Sequence, residues 1–331
     1  MNNFLDKIFF RSRNLDYIGK NLKNITYQTP ANKIFEAINS YSESSEVRYV
    51  GGCIRKVIKK EAVDDIDLAT NLKPNEVCDA LKKKEINYYE TGIEHGTITA
   101  IIDEHKFEIT SLRKDVITDG RHAKVEFSSD WKEDAARRDF SINSIYSDKE
   151  GNLFDPHNGK KDLENGYLKF IGDAENRIKE DYLRILRYVR FFINYSNQSH
   201  DLNIIKKIKK NIGGVSKLSS ERLLDEFKKL TRSNAFLKIF NDKISLELIE
   251  IIFPQLKNLE NFKKLNSHAI DNLAKVDFIF LLSLLIVDGS DNTDYFLYKF
   301  NISKKDQKRL KSIDFFYKEN VSIKNFNEKN F

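Results

Sequence analysis

Tyr49-Val50-Gly51-Gly52-Cys53-Ile54-Arg55, followed by Asp65-Ile66-Asp67-Leu68, is the stretch whose reading decides the fold. The buried-looking stretch Val47 to Val50 predicts a strand that ends in two glycines. A short basic helix over 54–60 and a second strand over 65–69 follow. Successive strand side chains point to opposite faces, so Asp65 and Asp67 emerge together while Ile66 and Leu68 pack behind them. Two carboxylates held that close repel each other unless a cation joins them. Glycines before a helix start leave backbone N–H groups open to phosphate. The pattern describes a site for a metal ion and a phosphate. An isolated D-x-D is more often two solvated charges, and the Gly-Gly pair with Arg55 is what turns the reading. Asp64 alternates to the other face and reads as incidental.

Working outward, a helix is expected over 31–41 and another from Pro74 to about 84, proline suiting a first helical turn. Strands are expected over 88–91, 96–102 and 106–112, the last two joined as a hairpin through Asp103-Glu104-His105. Glu108 stands in the last of these, where it is either a third metal carboxylate or a half-exposed strand residue. Residues 114–125, with Asp119-Gly120-Arg121-His122, read as a mobile loop. A helix is expected to run from Trp131 through Arg137-Arg138-Asp139-Phe140-Ser141-Ile142-Asn143, with the arginines contacting a nucleotide. Strand-like pieces at 153–156 and 168–171 close this part. Residues 1–30 carry no convincing pattern, and Phe9, Phe10 and Arg11 read as either a docking segment or a frayed terminus.

Beyond Asp173 the period is helical throughout, with breaks at Gly213-Gly214, Pro254 and Gly289. The expectation is therefore an α+β chain: a mixed head, then an all-helical remainder, with the boundary near residue 172. In Glu180-Asp181-Tyr182-Leu183-Arg184-Ile185-Leu186-Arg187-Tyr188-Val189-Arg190-Phe191, charged and apolar residues each recur every third position on an expected helix. Ion pairs along such a helix contribute only ~0.2–0.5 kcal/mol each. An arginine beside a carboxylate also presents donors and an acceptor together. That set fits the pairing edges of cytosine and adenine, each an amine beside a ring nitrogen. Uracil and guanine present the inverse pattern and leave polar groups mismatched. Arg187 and Arg190 would then hold phosphates.

Bulk properties set the frame. The 331 residues suffice for two or three domains, and 40% apolar with 32% charged residues is a globular balance. A net charge of +6 is as well explained by a lysine-rich surface as by a nucleic-acid partner. The two cysteines, Cys53 and Cys78, have neither zinc nor disulfide spacing, which fits a reducing cytoplasm. The most apolar run, Phe278 to Val287, is about half the ~20 residues of a membrane span and reads as a buried helix. No G-x-x-x-x-G-K-[ST] occurs, against a P-loop ATPase or GTPase. The six histidines form no ligand set.

The segments Val50-Gly51-Gly52-x-x-Arg55, Asp65 to Thr70, Thr91-Gly92-x-x-His95-Gly96-Thr97, Phe107 to Arg113, Arg137 to Asn143 and Glu180-Asp181-x-x-Arg184-x-x-Arg187-x-x-Arg190-Phe191 together resemble the bacterial tRNA nucleotidyltransferase/poly(A) polymerase family. That is the class II branch of the polymerase-β-like nucleotidyltransferases. The resemblance implies a nucleotidyltransferase head over 1–172, a base-recognising neck over 173–260 and an RNA-binding body over 261–331 that reads as a shortened tail. It implies addition of C, C and A to tRNA 3′ ends from CTP and ATP with Mg²⁺ and no nucleic-acid template, away from membranes and DNA. Carried across, Asp65 and Asp67 are the catalytic metal ligands. Gly52, Arg55 and Arg138 contact the triphosphate, and Asp181 and Arg184 read the base with Arg187 and Arg190 nearby. Lys56 stands where the family has aspartate. The alternatives are a poly(A) or A-only polymerase and a non-catalytic RNA-binding relic. The His95-Gly96-Thr97 segment and the loop at 119–122 favour CCA addition over poly(A) synthesis.

Overall fold

The computed structural model describes residues 17–63, 65–117, 124–233, 235–273 and 275–320. The chain divides into two compact units, Met1–Arg177 and Ile178–Phe331.

In the first unit, helices α1 (residues 17–28) and α2 (Ala31–Asn39) precede strand β1 (Val47–Val50), helix α3 (Gly52–Lys59) and strand β2 (Ile66–Thr70). Helix α4 (Pro74–Lys83) leads to β3 (Asn87–Gly92), β4 (Thr97–Ile102) and β5 (His105–Ser111). Strands β8 (Tyr146–Ser147) and β9 (Leu153–Phe154) complete a mixed sheet of order β3-β4-β5-β2-β1-β8-β9. Only β2 and β5 run parallel in it, and their register sets Asp67 beside Glu108. The alternation anticipated for β2 holds: Ile66 and Leu68 join the core with Tyr49, Ile98, Phe107 and Ile109, while Asp67 is half-buried on the other face. That other face carries a smaller cluster of Val50, Ala69, Leu112, Trp131, Ala135 and Tyr146. The asymmetry explains the site's place. One face is sealed by α2, α3 and α4 side chains, and the second is only partly covered.

Four expectations here need correction. Residues 114–125 are not wholly a loop: β6 (Arg113–Ile117) and β7 (Lys124–Phe127) form a two-stranded ribbon, and Asp119-Gly120-Arg121-His122 lie outside the described residues. Helix α5 (Trp131–Ala136) starts on Asp130, whose carboxylate accepts from Lys132 N at 2.7 Å, and stops before the arginines. Its continuation is broken because Phe140 enters an isolated bridge with Phe170, so 168–171 is a single bridge and not a strand. Asp139 Oδ1 accepts from Phe140 N at 2.9 Å, a side-chain turn that competes with helix. Patternless though it looked, 17–28 is helical, with Ile18 and Leu22 buried. Phe9, Phe10 and Arg11 lie outside the described residues.

The first unit also holds α6 (Gly159–Asn165), and α7 (Ala174–Glu180) spans the division between the units. In the second, α8 (Leu183–Tyr195) buries Ile185, Leu186, Tyr188, Val189, Phe191, Phe192 and Ile193 against neighbours that include α10 (Ser220–Thr231). Helices α9 (Leu202–Asn211), α11 (Lys243–Ile252), α12 (Ser267–Leu273), α13 (Phe278–Ile286), α14 (Asn292–Lys299) and α15 (Lys304–Asn320) make up the rest. Asp242 caps α11, and His200 lies between the Asp242 carboxylate at 3.0 Å and the Tyr188 hydroxyl at 2.9 Å. The apolar run at 278–287 contains helix α13, which buries Leu281, Leu282, Leu285 and Ile286 and leaves Leu284 exposed, and no helix among the described residues is long and apolar enough to cross a membrane.

Candidate active site

The glycine pair turns the chain from β1 into α3. Gly51 has φ +68°, a conformation in which a side chain is strained, and no side chain caps the helix start after it. The first amides of α3 are thereby left to an acceptor from outside the helix. A Cβ placed on Gly52 would sit 3.6 Å from Asp67 Oδ2, and one on Gly51 would sit 4.0 Å from Arg138 Nη1. The structure therefore brings Gly51, Gly52, Asp67 and Arg138 to one place, the open face of the sheet.

Charge at Asp67 is out of balance. Burial raises its pKa, the carboxylates of Glu108 and Asp65 raise it further, and Arg138 and Arg55 counteract only part of this. Desolvation and like charge both disfavour the ionised form. An oxygen-rich donor set with surplus negative charge suits a hard divalent cation. Among the described residues no three His, Cys, Asp or Glu side chains are grouped to hold a metal by themselves. An ion of this kind draws its remaining ligands from water and substrate phosphates, as Mg²⁺ does elsewhere. The residues fit the ion on those terms.

The arginines are set by a buried network just past α5. Asp134, 1% exposed, accepts from Arg137 Nε at 2.8 Å, from Arg138 Nη2 at 3.0 Å and from the Tyr146 hydroxyl at 2.6 Å. Arg138 also donates to Tyr146 at 2.9 Å and to the Asn143 carbonyl at 3.3 Å. Burial alone would raise the Asp134 pKa, but Arg138 and Arg137 override it and hold the carboxyl well below its usual range. Arg55, buried on α3, donates to Asn143 Oδ1, and Asn143 Nδ2 donates in turn to Asp139 Oδ1 at 2.7 Å. Both arginines are thus held on protein acceptors, and Arg138 lies beside the glycine turn.

The second unit carries the other expected residues. The continuous helix anticipated from Glu180 onward is interrupted: α7 ends at Glu180 and α8 begins at Leu183, leaving Asp181 at the corner. Asp181 Oδ1 accepts from Leu183 N at 3.1 Å and Oδ2 from Arg222 Nη2 at 2.7 Å. Arg184 donates to Glu180 at 2.6 Å, one turn back across the corner. Arg190 Nε meets Glu226 Oε1 at 2.5 Å, and Arg187 lies 3.8 Å from Glu226 Oε2. Both guanidinium groups also lie over the Phe191 ring, at 4.2 and 5.2 Å.

Sequence reasoning missed Asp134, Tyr146, Asn143, Arg222 and Glu226 as supports. Asp134 precedes Arg137 and Arg138 by three and four positions, a spacing that was readable. No local signal ties Glu226 to Arg190.

Comparison with known proteins places this geometry. Residues 47–169 match the Poly A polymerase head domain, and residues 201–260 match the probable RNA and SrmB-binding site of polymerase A. The first unit is therefore a nucleotidyltransferase head of the polymerase type. The chain belongs to the family of CCA-adding enzymes and poly(A) polymerases. It is 39% identical over 249 residues to the mitochondrial CCA tRNA nucleotidyltransferase 1 of Homo sapiens, covering 74% of this chain and 57% of that one. It is 35% identical over 207 residues to a CCA-adding enzyme of Lactobacillus delbrueckii subsp. bulgaricus, covering 62% of this chain and 51% of the relative. The chain thus spans little more than half the length of these relatives. A TM-score of 0.68 at 23% identity relates it to the Bacillus stearothermophilus CCA-adding enzyme in complex with CTP, over 86% of this chain and 69% of that one. A tRNA nucleotidyltransferase complexed with a primer tRNA and an incoming ATP analog gives 0.62 at 20% identity, over 92% and 87%. These two likenesses establish the fold.

Proposed function

We propose that this protein adds C, C and A to tRNA 3′ ends from CTP and ATP by nucleotidyl transfer without a nucleic-acid template. The observation that carries the reading is the glycine turn, with the charge-unbalanced Asp67 beside Gly52 and Arg138 beside Gly51. In the reaction a tRNA 3′ hydroxyl attacks the α-phosphorus of the nucleotide. The new O–P bond forms as the hydroxyl releases its proton to solvent, the bond from the α-phosphorus to the bridging oxygen breaks, and pyrophosphate leaves with its electrons. Asp65 and Asp67 would hold Mg²⁺, with Glu108 a candidate third carboxylate. The ion would lower the pKa of the attacking hydroxyl and neutralise charge on the phosphates. Gly52 lets the triphosphate approach the α3 amides, while Arg55 and Arg138, fixed on Asn143 and Asp134, offer donors to it. Asp181 and Arg184 read the base, selecting cytosine and adenine by an acceptor beside donors, and Arg187 and Arg190 support that template. The division of labour is a catalytic head over 1–172, a neck over 173–260 and an RNA-binding body over 261–331. Buried free thiols at Cys53 and Cys78 suit a reducing cytoplasm.

The test is incorporation of labelled CTP or ATP, with Mg²⁺, into tRNA transcripts ending before CCA, at C and at CC. Addition of three, two and one residues followed by a stop is the expected result. ATP-only extension without a stop would replace the reading with poly(A) synthesis, and no incorporation would make the protein a non-catalytic relic.

A further inference from the structure

We infer that Tyr89 is a stacking seat for the last bases of the receiving RNA strand, which lies across the open sheet face from Asp67; this rests on the proposed reading that the head transfers a nucleotide to an RNA 3′ hydroxyl. The strand registers set up one row of side chains. Asp67 on β2 lies beside Glu108 on β5, Glu108 opposite Thr99 on β4, and Thr99 opposite Tyr89 on β3. Neighbouring strands lie ~4.8 Å apart, so Tyr89 stands about 14 Å from Asp67. Side chains alternate along β3: Tyr88 packs against the sealed core, and Tyr89, on the other face, is 60% exposed. Lys106, two positions before Glu108, shares that face and is exposed as well.

Direction decides what lies on that row. The groups suited to the triphosphate stand on the β1 and β8 side of Asp67, with Gly52 beside its carboxylate and Arg138 bonded to Tyr146 of β8 at 2.9 Å. In an in-line displacement the attacking and leaving oxygens take opposite sides of the phosphorus. Pyrophosphate leaving toward the glycine turn therefore puts the attacking hydroxyl on the β5 side, and the strand that carries it runs over β5, β4 and β3. Short polar side chains line the way: Thr99 is half-buried, and the Thr97 and Thr110 hydroxyls pair at 3.2 Å. The ring of Tyr89 ends it. An aromatic face stacks on any base, because every base has a π-face. That tolerance suits a protein whose receiving end changes identity with each addition, where hydrogen bonds fitted to one base would fail at the next. Lys106 offers a cation to a phosphate of the same strand.

The experiment compares Tyr89→Ala and Tyr89→Phe with the wild type in the full chain, measuring incorporation kinetics and thermal unfolding. A second readout uses a tRNA ending at CC whose last base is a fluorescent cytosine analogue, quenched when it stacks. Tyr89→Ala is expected to lower kcat/KM for tRNA on the order of tenfold and to lose the quenching. The KM for CTP and ATP and the unfolding midpoint should stay near those of the wild type. Tyr89→Phe, which keeps the ring, should keep both the rate and the quenching. Wild-type kcat/KM for tRNA and quenching in Tyr89→Ala, beside an active wild type, would overturn the seat and leave the transfer reading standing. A raised KM for CTP or ATP with tRNA kinetics unchanged would put the ring at the incoming nucleotide and overturn it too. A wild type that incorporates nothing would remove the transfer reading, and the seat with it.

Discussion

The β2 carboxylate and the α10 carboxylate solve opposite problems. Asp67 has its pKa raised by burial and by Glu108 and Asp65, against which Arg138 and Arg55 are insufficient. Glu226, more deeply buried, meets Arg190 and Arg187 directly. A site kept short of positive charge is built to receive it from a ligand, whereas a matched pair holds structure. The contrast separates residues that do chemistry from those that position it, and it makes predictions of opposite sign.

The largest effect is expected at Asp67. Asp67→Ala should lower nucleotide incorporation by ~10³-fold or more while tRNA binding, read by filter retention, persists. Near-normal turnover would erase the contrast by removing the metal assignment. Next comes Asp134, the balanced carboxylate of the head. Asp134→Ala leaves two arginines and a tyrosine hydroxyl without their shared acceptor, a loss of about 4 kcal/mol in denaturant unfolding. Its pH dependence also has a definite sign. Because the folded pKa is depressed, the stabilisation is complete above the ordinary carboxylate value and fades as pH falls through the lower folded one. Asp67 contributes with the reverse sign: its raised folded pKa makes ionisation a cost that appears as pH rises through the range between the two values.

Glu226→Gln is expected to cost about 3 kcal/mol, since it removes the charge opposite Arg190 in a buried setting. A loss under half of that would mean the α10 grip is looser than its burial implies. The smallest effects separate the two glycines. Gly51→Ala should cost ~1–2 kcal/mol because its φ of +68° is strained for a side chain. Gly52→Ala should leave stability nearly unchanged, its Cβ finding ordinary contact 3.6 Å from Asp67, yet slow incorporation by crowding the glycine turn. Equal stability losses at both positions would contradict this assignment.

The sequence made the chemistry of the head readable because its signals are local. Alternation in Asp65-Ile66-Asp67-Leu68 places the carboxylate, and Gly51-Gly52 marks the turn whatever surrounds it. Periodicity failed at Arg137-Arg138, which it carried into a continuous helix. The Asp139 side-chain turn and the Phe140–Phe170 bridge ended that helix through partners that hydrophobic period does not register. It failed likewise at Asp181, where a corner replaced a helical position. Arg222 stood in a segment recognised as neck, but its pairing with Asp181 joins residues distant in the chain, and only the fold brings them together. The ribbon flanking 118–123 was hidden for a similar reason, since neither strand has an apolar alternation strong enough to announce it.

The measurement that tests the account most directly is thermal unfolding of the wild type and Asp67→Asn at neutral pH, each with and without Mg²⁺ and CTP. If Asp67 is held short of positive charge for a cation, the variant should unfold at a higher temperature than the ligand-free wild type. It should also lose the stabilisation that Mg²⁺ and CTP give the wild type. A variant less stable than the wild type, or one still stabilised by Mg²⁺ and CTP to the same degree, would contradict it.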